Sequence, residues 1–174
     1  HRPQEHLFVI KSIIALYGML GLPIIMNFWD ISKFFDKESL RDCLNSLYRT
    51  GVKGKLYRLW YEFNRKSKIK VQTGCGESDE ATTGGNVSQG TVGSGLLSSL
   101  NLGQGVHDFF EGSMSEVSYG NVRLEPLCFQ DDVARVCNSP QDAQAGCDKM
   151  AAVTNLKQLE INVDKSSFIV IAQK

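Results

Sequence analysis

Phe129-Gln130-Asp131-Asp132 is the stretch on which the fold of this chain turns. It closes the strand-like stretch from Val122 to Phe129 and sets two acids side by side. Neighbouring side chains of a strand point to opposite faces, so two acids at a hairpin tip offer carboxylates in different directions around one spot. One can ligate a metal squarely while the other helps from the side. Magnesium takes a few hard oxygen ligands and keeps water or a substrate phosphate for the rest. A polar loop leaving a strand has the same composition, so the motif needs company.

Upstream of it, Val117 to Tyr119 and Val122 to Phe129 read as a hairpin turning at Gly120-Asn121. Downstream, Ser139-Pro140-Gln141-Asp142 combines a capping box with proline at the first helical position, and the helix it starts runs to about Leu159. Ser167 to Ala172 is a last apolar strand. Leu7 to Leu20 has helical apolar spacing, ended by Gly18, Gly21 and Pro23, and Pro23 to Trp29 reads as a buried strand. Asp36 is placed to cap a helix with Leu40, Cys43, Leu44 and Leu47 on its inner face. A second helix carries Leu56, Leu59, Trp60 and Phe63 on one face. Lys68 to Thr73 alternates like a strand with one dry face, Gly74 to Gly85 is a polar loop, and a further helix starts near Gln89 and runs to Phe110. The order predicts an α+β domain, an antiparallel sheet covered by helices.

Three more segments carry chemistry. Asp30 ends the apolar strand between Trp29 and Ile31, and a charge in such company is costly unless paired or metal-bound. Its alternative is a cap, which Asp36 suits better. Gln89-Gly90 sits in a glycine-rich loop entering a helix, where backbone amides can approach a nucleotide or template closely. Ile161 to Ser166 presents Lys165 on a turn just before the last strand, which is also what an ordinary surface lysine looks like.

Charge and cysteine usage narrow the class. Formal net charge is zero, yet eight basic residues lie between Arg49 and Lys70 with Glu62 as the one acid, while nine acids face four bases from Glu111 to Asp164. Such a split suits phosphates held at one place and cations at another. The five cysteines show no C-x-x-C spacing, so neither a zinc site nor a disulfide framework is indicated, and a reducing intracellular location, cytoplasm or nucleus, is expected. The uncharged 18-residue window Ser12 to Trp29 is interrupted by Gly18, Gly21, Pro23 and Asn27, which makes it a buried helix, turn and strand rather than a membrane span.

Taken in chain order, these segments resemble the motifs of reverse transcriptases of the non-LTR retrotransposon and group II intron kind. Asp30 to Asp36 is similar to motif A, D-I/L-S-K-A-F-D; Asn86-Val87-Ser88-Gln89-Gly90 to motif B, G-x-x-Q-G; Phe129 to Asp132 to motif C, F/Y-x-D-D; and Leu159 to Ser166 to motif D, G-L-x-x-N-x-x-K-S/T. All four follow in the family's order between Pro23 and Ala172. Phe34 stands where the family prefers a small residue, Asn86 replaces a glycine, Gly95 stands where proline is frequent, and motif D lacks its leading glycine. None of these departures removes a metal ligand.

The resemblance implies a polymerase palm, an antiparallel sheet with helices packed on one face, with part of the fingers. Residues 1–22 would connect fingers and palm, residues 23–174 would be the palm, and most of the fingers, the primer grip and the thumb would lie outside this chain. It implies nucleotidyl transfer from a dNTP to a DNA or RNA primer on an RNA template, with two Mg2+, or Mn2+ instead. Asp30 and Asp131 match the metal-binding aspartates, Asp132 the accessory acid, and the Ile31 carbonyl would complete the metal site. Phe35 matches the residue that stacks under the sugar and rejects a 2′-hydroxyl; Gln89 and Gly90 match the loop at the nascent base pair; Lys165 matches the lysine near the leaving pyrophosphate. Lys53, Lys55, Arg58, Arg65, Lys66, Lys68 and Lys70 are the candidates for template or primer phosphates. No RNase H or endonuclease signature is seen in these residues, and the 174 residues alone are expected to extend primers weakly or not at all. A decayed palm that binds nucleic acid or protein, an RNA-dependent RNA polymerase, and a nucleotide cyclase are the alternatives; the intact acids speak against the first and Phe35 against the second.

Overall fold

The computed structural model describes residues 3–65, 68–82, 85–87, 93–111 and 117–171. In chain order the first half holds helix α1 (Pro3–Leu20), strand β1 (Ile24–Trp29), a one-turn helix α2 (Phe34–Lys37), and helices α3 (Leu40–Arg49) and α4 (Gly54–Arg65). Four two-residue strands follow, β2 (Lys68–Ile69), β3 (Gln72–Thr73), β4 (Gly76–Glu77) and β5 (Ala81–Thr82). The second half holds helix α5 (Ser94–Phe110), strands β6 (Ser118–Tyr119), β7 (Val122–Arg123), β8 (Leu127–Phe129) and β9 (Asp132–Cys137), helix α6 (Pro140–Leu156) and strand β10 (Ser167–Ile171). The α+β expectation holds. Two compact units result: His1–Ser32 with Leu102–Lys174, and Lys33–Asn101.

The first unit is built on a four-stranded antiparallel sheet in the order β10-β1-β9-β8. β1 is central, with Met26 opposite Ile169 of β10 on one side and Val136 of β9 on the other. Its residues alternate between two covered faces, so the helices lie on both sides of the sheet and not on one: α1 covers one face and α6 the other. Ile24 and Met26 join Ile13 and Tyr17 of α1, Val117 and Val136 in one core. Ile25 packs with Cys137 and Ala143 of α6, and the Asn27 side-chain amide donates to the Ala143 carbonyl at 2.9 Å. A strand covered on both faces is apolar nearly throughout, which is why this run reads as uninterrupted.

α6 starts as its sequence predicts, with Ser139 Oγ accepting from the Asp142 amide and Pro140 in the first turn. Arg135 of β9 lies buried beneath it. Its guanidinium pairs with the Asp142 carboxylate at 2.5 Å, donates to the Asp142 carbonyl, and rests over the Phe110 ring. A charge can be kept there only because it is paired and hydrogen-bonded.

The second unit packs α3, α4 and the start of α5 around Leu40, Cys43, Leu44, Leu47, Val87 and Leu97. Ser39, not Asp36, caps α3: its hydroxyl accepts from the Asp42 amide, and its extended backbone suits that position, whereas Asp36 is already inside α2. α4 turns Tyr57, Trp60 and Asn64 inward, while Leu56, Leu59 and Phe63 are left exposed. Gly93 approaches the Trp60 ring so closely that a Cβ there would lie 1.7 Å from it, and its φ of 81° excludes other residues in any case.

Three further expectations change. Lys68 to Thr73 is not one strand; it breaks into β2, paired with β5, and β3, paired with β4, and both are exposed. The predicted loop from Gly74 to Gly85 therefore contains the return half of an exposed arm. Val122 to Phe129 likewise divides into β7 and β8, and the following residues add β9, which the sequence reading did not separate.

Candidate functional site

The site forms at one end of the first unit's sheet. β8 and β9 are joined by Gln130 and Asp131, with Phe129 opposite Asp132. Gln130 takes a φ of 54°, unusual for a residue with a Cβ, so the turn is tight and slightly strained. Trp29 pairs with Val133, so one step along the register Asp30 falls opposite Asp132.

Asp30 is held by its own backbone. Its carbonyl accepts from the Asn162 amide at 2.8 Å and its amide donates to Ser166 Oγ at 3.1 Å. The Ser32 amide donates to the Glu160 carbonyl at 2.8 Å, which makes Ile31 and Ile161 an isolated antiparallel bridge. That pairing uses the groups on either side of Ile31 and leaves the Ile31 carbonyl outside the bridge. Segment 160–166 is therefore a strap across the acid-bearing end of β1. Asn162 clamps through its backbone amide and Ser166 through its hydroxyl; no local pattern marks either for this role.

The strap is aimed by the end of α6. Gln158 donates its amide to the Asn155 carbonyl and Leu159 to that of Thr154, and Gln158 has a φ of 56°. This is a helix end of the kind that favours glycine. The missing glycine before Leu159 is thus a residue forced into glycine's conformation, not a different turn. Lys33, Gln130 and Gln158 are the non-glycine residues at positive φ among those described, and each flanks one of the acid- or lysine-bearing segments.

Asp30, Asp132 and Lys165 line one cavity of about 580 Å3, whose remaining wall is apolar apart from His6: Leu7 and Ile10 of α1, Phe28, Leu127, Phe129 and Val133 among others. The Asp132 carboxyl is pushed above its ordinary 3.8 by partial burial first, then by the charges of Asp131 and Asp30, with Lys165 acting the other way. The Asp132 carboxylate thus lies within electrostatic reach of those of Asp131 and Asp30. Among the described residues no three His, Cys, Asp or Glu side chains form a cage for a metal. Magnesium does not require one; it is held by one or two carboxylates together with water and phosphate, and the repulsion at Asp132 is what a dication would relieve. Asp30 and Asp132, on one cavity wall, are hard oxygen donors of the kind such an ion takes. Burial pushes the Cys128 thiol up to about 12, so no thiolate nucleophile stands beside the acids.

The other candidates lie in the second unit or outside the described residues. Phe35 packs on the core of that unit, with the ring of buried Phe34 edge-on to it at 5.4 Å. Gln89, Gly90 and Lys66 fall outside the described residues. The start of the segment containing Gln89 is nonetheless anchored: the Asn86 side chain donates to the Asp36 carbonyl, the Leu40 amide donates to Gly85, and that of Val87 to Glu38. Asn86, where the resembled family has glycine, is a tether. Glu38 itself is buried, accepting from the Asn101 side chain, which in turn accepts from Ser46.

The basic cluster is less basic than its sequence. Lys68 meets Glu80 at 2.7 Å, Lys70 meets Glu77 at 3.6 Å and Arg65 meets Glu62 at 3.2 Å. Glu77 and Glu80 lie beyond the stretch that looked one-sided, and the arm folds them back onto it. Lys53 sits over the Tyr48 ring, and Lys55 and Arg58 make no ion pair with another described residue. No described helix is long and apolar enough to cross a membrane.

No protein-family model and no curated protein matches this chain. Solved structures do. The apo telomerase of Candida tropicalis truncated from its C-terminal domain superposes with a TM-score of 0.78 at 14% identity, over 100% of this chain and 36% of that one. The telomerase of Candida albicans in complex with a TWJ fragment of telomeric RNA gives 0.72 at 12% identity over 97% and 30%, and that of Candida tropicalis in the same kind of complex 0.74 at 14% over 98% and 30%. The chain spans about a third of the length of these proteins. Identity this low speaks to architecture alone: the chain shares the fold of the matched part of these telomerases.

Proposed function

We propose that the chain is the palm of an RNA-directed DNA polymerase, acting as part of a larger polymerase protein. The observation that carries this reading is the meeting of Asp30, Asp132 and Lys165 in one cavity, with Asp131 in the adjoining turn, at the end of a sheet with that fold. The retroelement type rests on the motif resemblance; the structural neighbours are telomerases, two of them bound to RNA.

Asp30, Asp131 and the Ile31 carbonyl would hold two Mg2+, with Asp132 adding negative charge at the same place. When bound, such ions lower the pKa of a primer 3′-hydroxyl and stabilise the departing pyrophosphate. The chain's own part is positioning. The strap 160–166 fixes Asp30, and the tight turn at Gln130 fixes the acid pair. Lys165, on the same cavity wall, can neutralise or protonate a leaving phosphate oxygen. Phe35 would exclude a 2′-hydroxyl, and Gln89 with Gly90 would contact the nascent pair. Lys53, Lys55 and Arg58 are the cations best placed to meet backbone phosphates, since Arg65, Lys68 and Lys70 are locally paired.

The test is primer extension on an RNA template by the full-length protein. Asp30→Asn and Asp131→Asn should each lower extension by about 100-fold or more, and dNTPs should be used in preference to rNTPs. Extension unaffected by either substitution would end this reading; preference for rNTPs would move it to an RNA polymerase.

A further inference from the structure

The cavity beside the acids has a wall that no motif supplies. His6, Leu7 and Ile10 of α1 face Asp30, Asp132 and Lys165 across it. The His6 ring stands edge-on to Phe129, with centroids 6.3 Å apart and planes at 86°. Phe129 is the residue immediately before the strained Gln130, and it is the register partner of Asp132. Phe129 therefore sits at the base of the acid-bearing turn, on the same strand pair as Asp132. α1 delivers His6 rigidly, because Ile13 and Tyr17 farther along it are buried in the sheet's core and the Tyr17 hydroxyl accepts from the Ser118 amide.

We propose that His6 is a positioning residue, whose ring braces Phe129 and so holds the turn 129–132 in its working geometry. What the turn does rests on the polymerase reading; the brace itself does not. The brace lies in the shape of the ring and its edge contact with Phe129, and burial holds the His6 pKa below its ordinary value. A phenyl ring should therefore replace it.

The experiment compares His6→Ala and His6→Phe in the full-length protein, with two readouts. The first is acrylamide quenching of Trp29, which lines the same cavity, in a background where Trp60 and every tryptophan outside this chain are replaced by Phe. His6→Ala should raise the quenching constant about twofold or more, and His6→Phe should restore it. The second is primer extension, with Asp131→Asn as the inactive control. His6→Ala should lower kcat about tenfold while the KM for dNTP changes less than twofold, and His6→Phe should recover most of the loss. Unchanged quenching in His6→Ala overturns the brace whatever the activity. Changed quenching with unchanged kcat overturns the positioning role, and a Phe variant as poor as the Ala variant would mean that the imidazole acts chemically. A wild-type protein that does not extend primers would defeat the polymerase reading instead, and quenching would then decide the brace alone.

Discussion

β1 and the segment Lys68 to Thr73 make an instructive pair, since both read as strands. β1 runs unbroken between two neighbours, with Ile24 1% exposed. The other segment breaks into two-residue pieces that each pair with the returning chain, and Ile69 and Val71 are 49% and 57% exposed. Alternation of polar and apolar residues is necessary for a half-buried strand, but it does not supply the second layer that buries it. β1 has α1 on one face and α6 on the other. The arm has only itself, and a short isolated ribbon is marginal in water.

The comparison breaks most visibly on truncation of side chains. Ile24→Ala should cost about 2–5 kcal/mol of stability, because it opens a cavity between α1 and the sheet. Ile69→Ala should cost no more than about 0.5 kcal/mol. Urea denaturation of both variants checks this; comparable losses would mean that the arm is buried against something in solution. Next in size is Gly93→Ala, which faces both a positive φ and the Trp60 ring, and should destabilise the second unit by about 2 kcal/mol or more. Its effect should appear in the Trp60 emission, not in the first unit.

Smaller effects probe the site end of the sheet. Gln158→Gly should stabilise the protein by about 0.5–1 kcal/mol, since it removes the strain of a side chain at a φ of 56°, partly offset by a more flexible unfolded chain. A lower melting temperature would show that Gln158 has contacts worth more than the strain. The smallest effect is electrostatic. Because the Asp132 pKa is raised in the folded protein, its stabilising contribution is present below the ordinary 3.8 and lost as pH rises through the raised value. Asp132→Asn should therefore melt slightly higher than wild type at pH 7, and the gain should disappear as pH falls towards about 4. A gain that persisted in acid would come from something other than the crowded carboxylates. Higher stability with lower activity is what a site of mutually repelling acids predicts.

Much of the site could be read from residues alone, because its chemistry is local. The pair Asp131-Asp132 follows a strand, Asp30 ends one, and the cap at Ser139 obeys short-range rules. Asp36 misled because Ser39, three residues on, offers the same kind of oxygen in a better backbone conformation. The basic cluster misled for a different reason: its neutralising acids, Glu77 and Glu80, are distant along the chain and adjacent only after the arm folds back.

The sequence by itself therefore determined the α+β order, the identity of the acids and the turn that carries the pair. Those follow from periodicity, capping and the cost of a bare charge in apolar company. Only the tertiary structure decided that segment 160–166 straps Asp30, that Asp132 faces Asp30 and Lys165 in one cavity, and that His6 of α1 reaches the same place. Backbone hydrogen bonds, strand register and ring contacts join residues far apart in the chain, and no local pattern of residue types encodes which partners will meet.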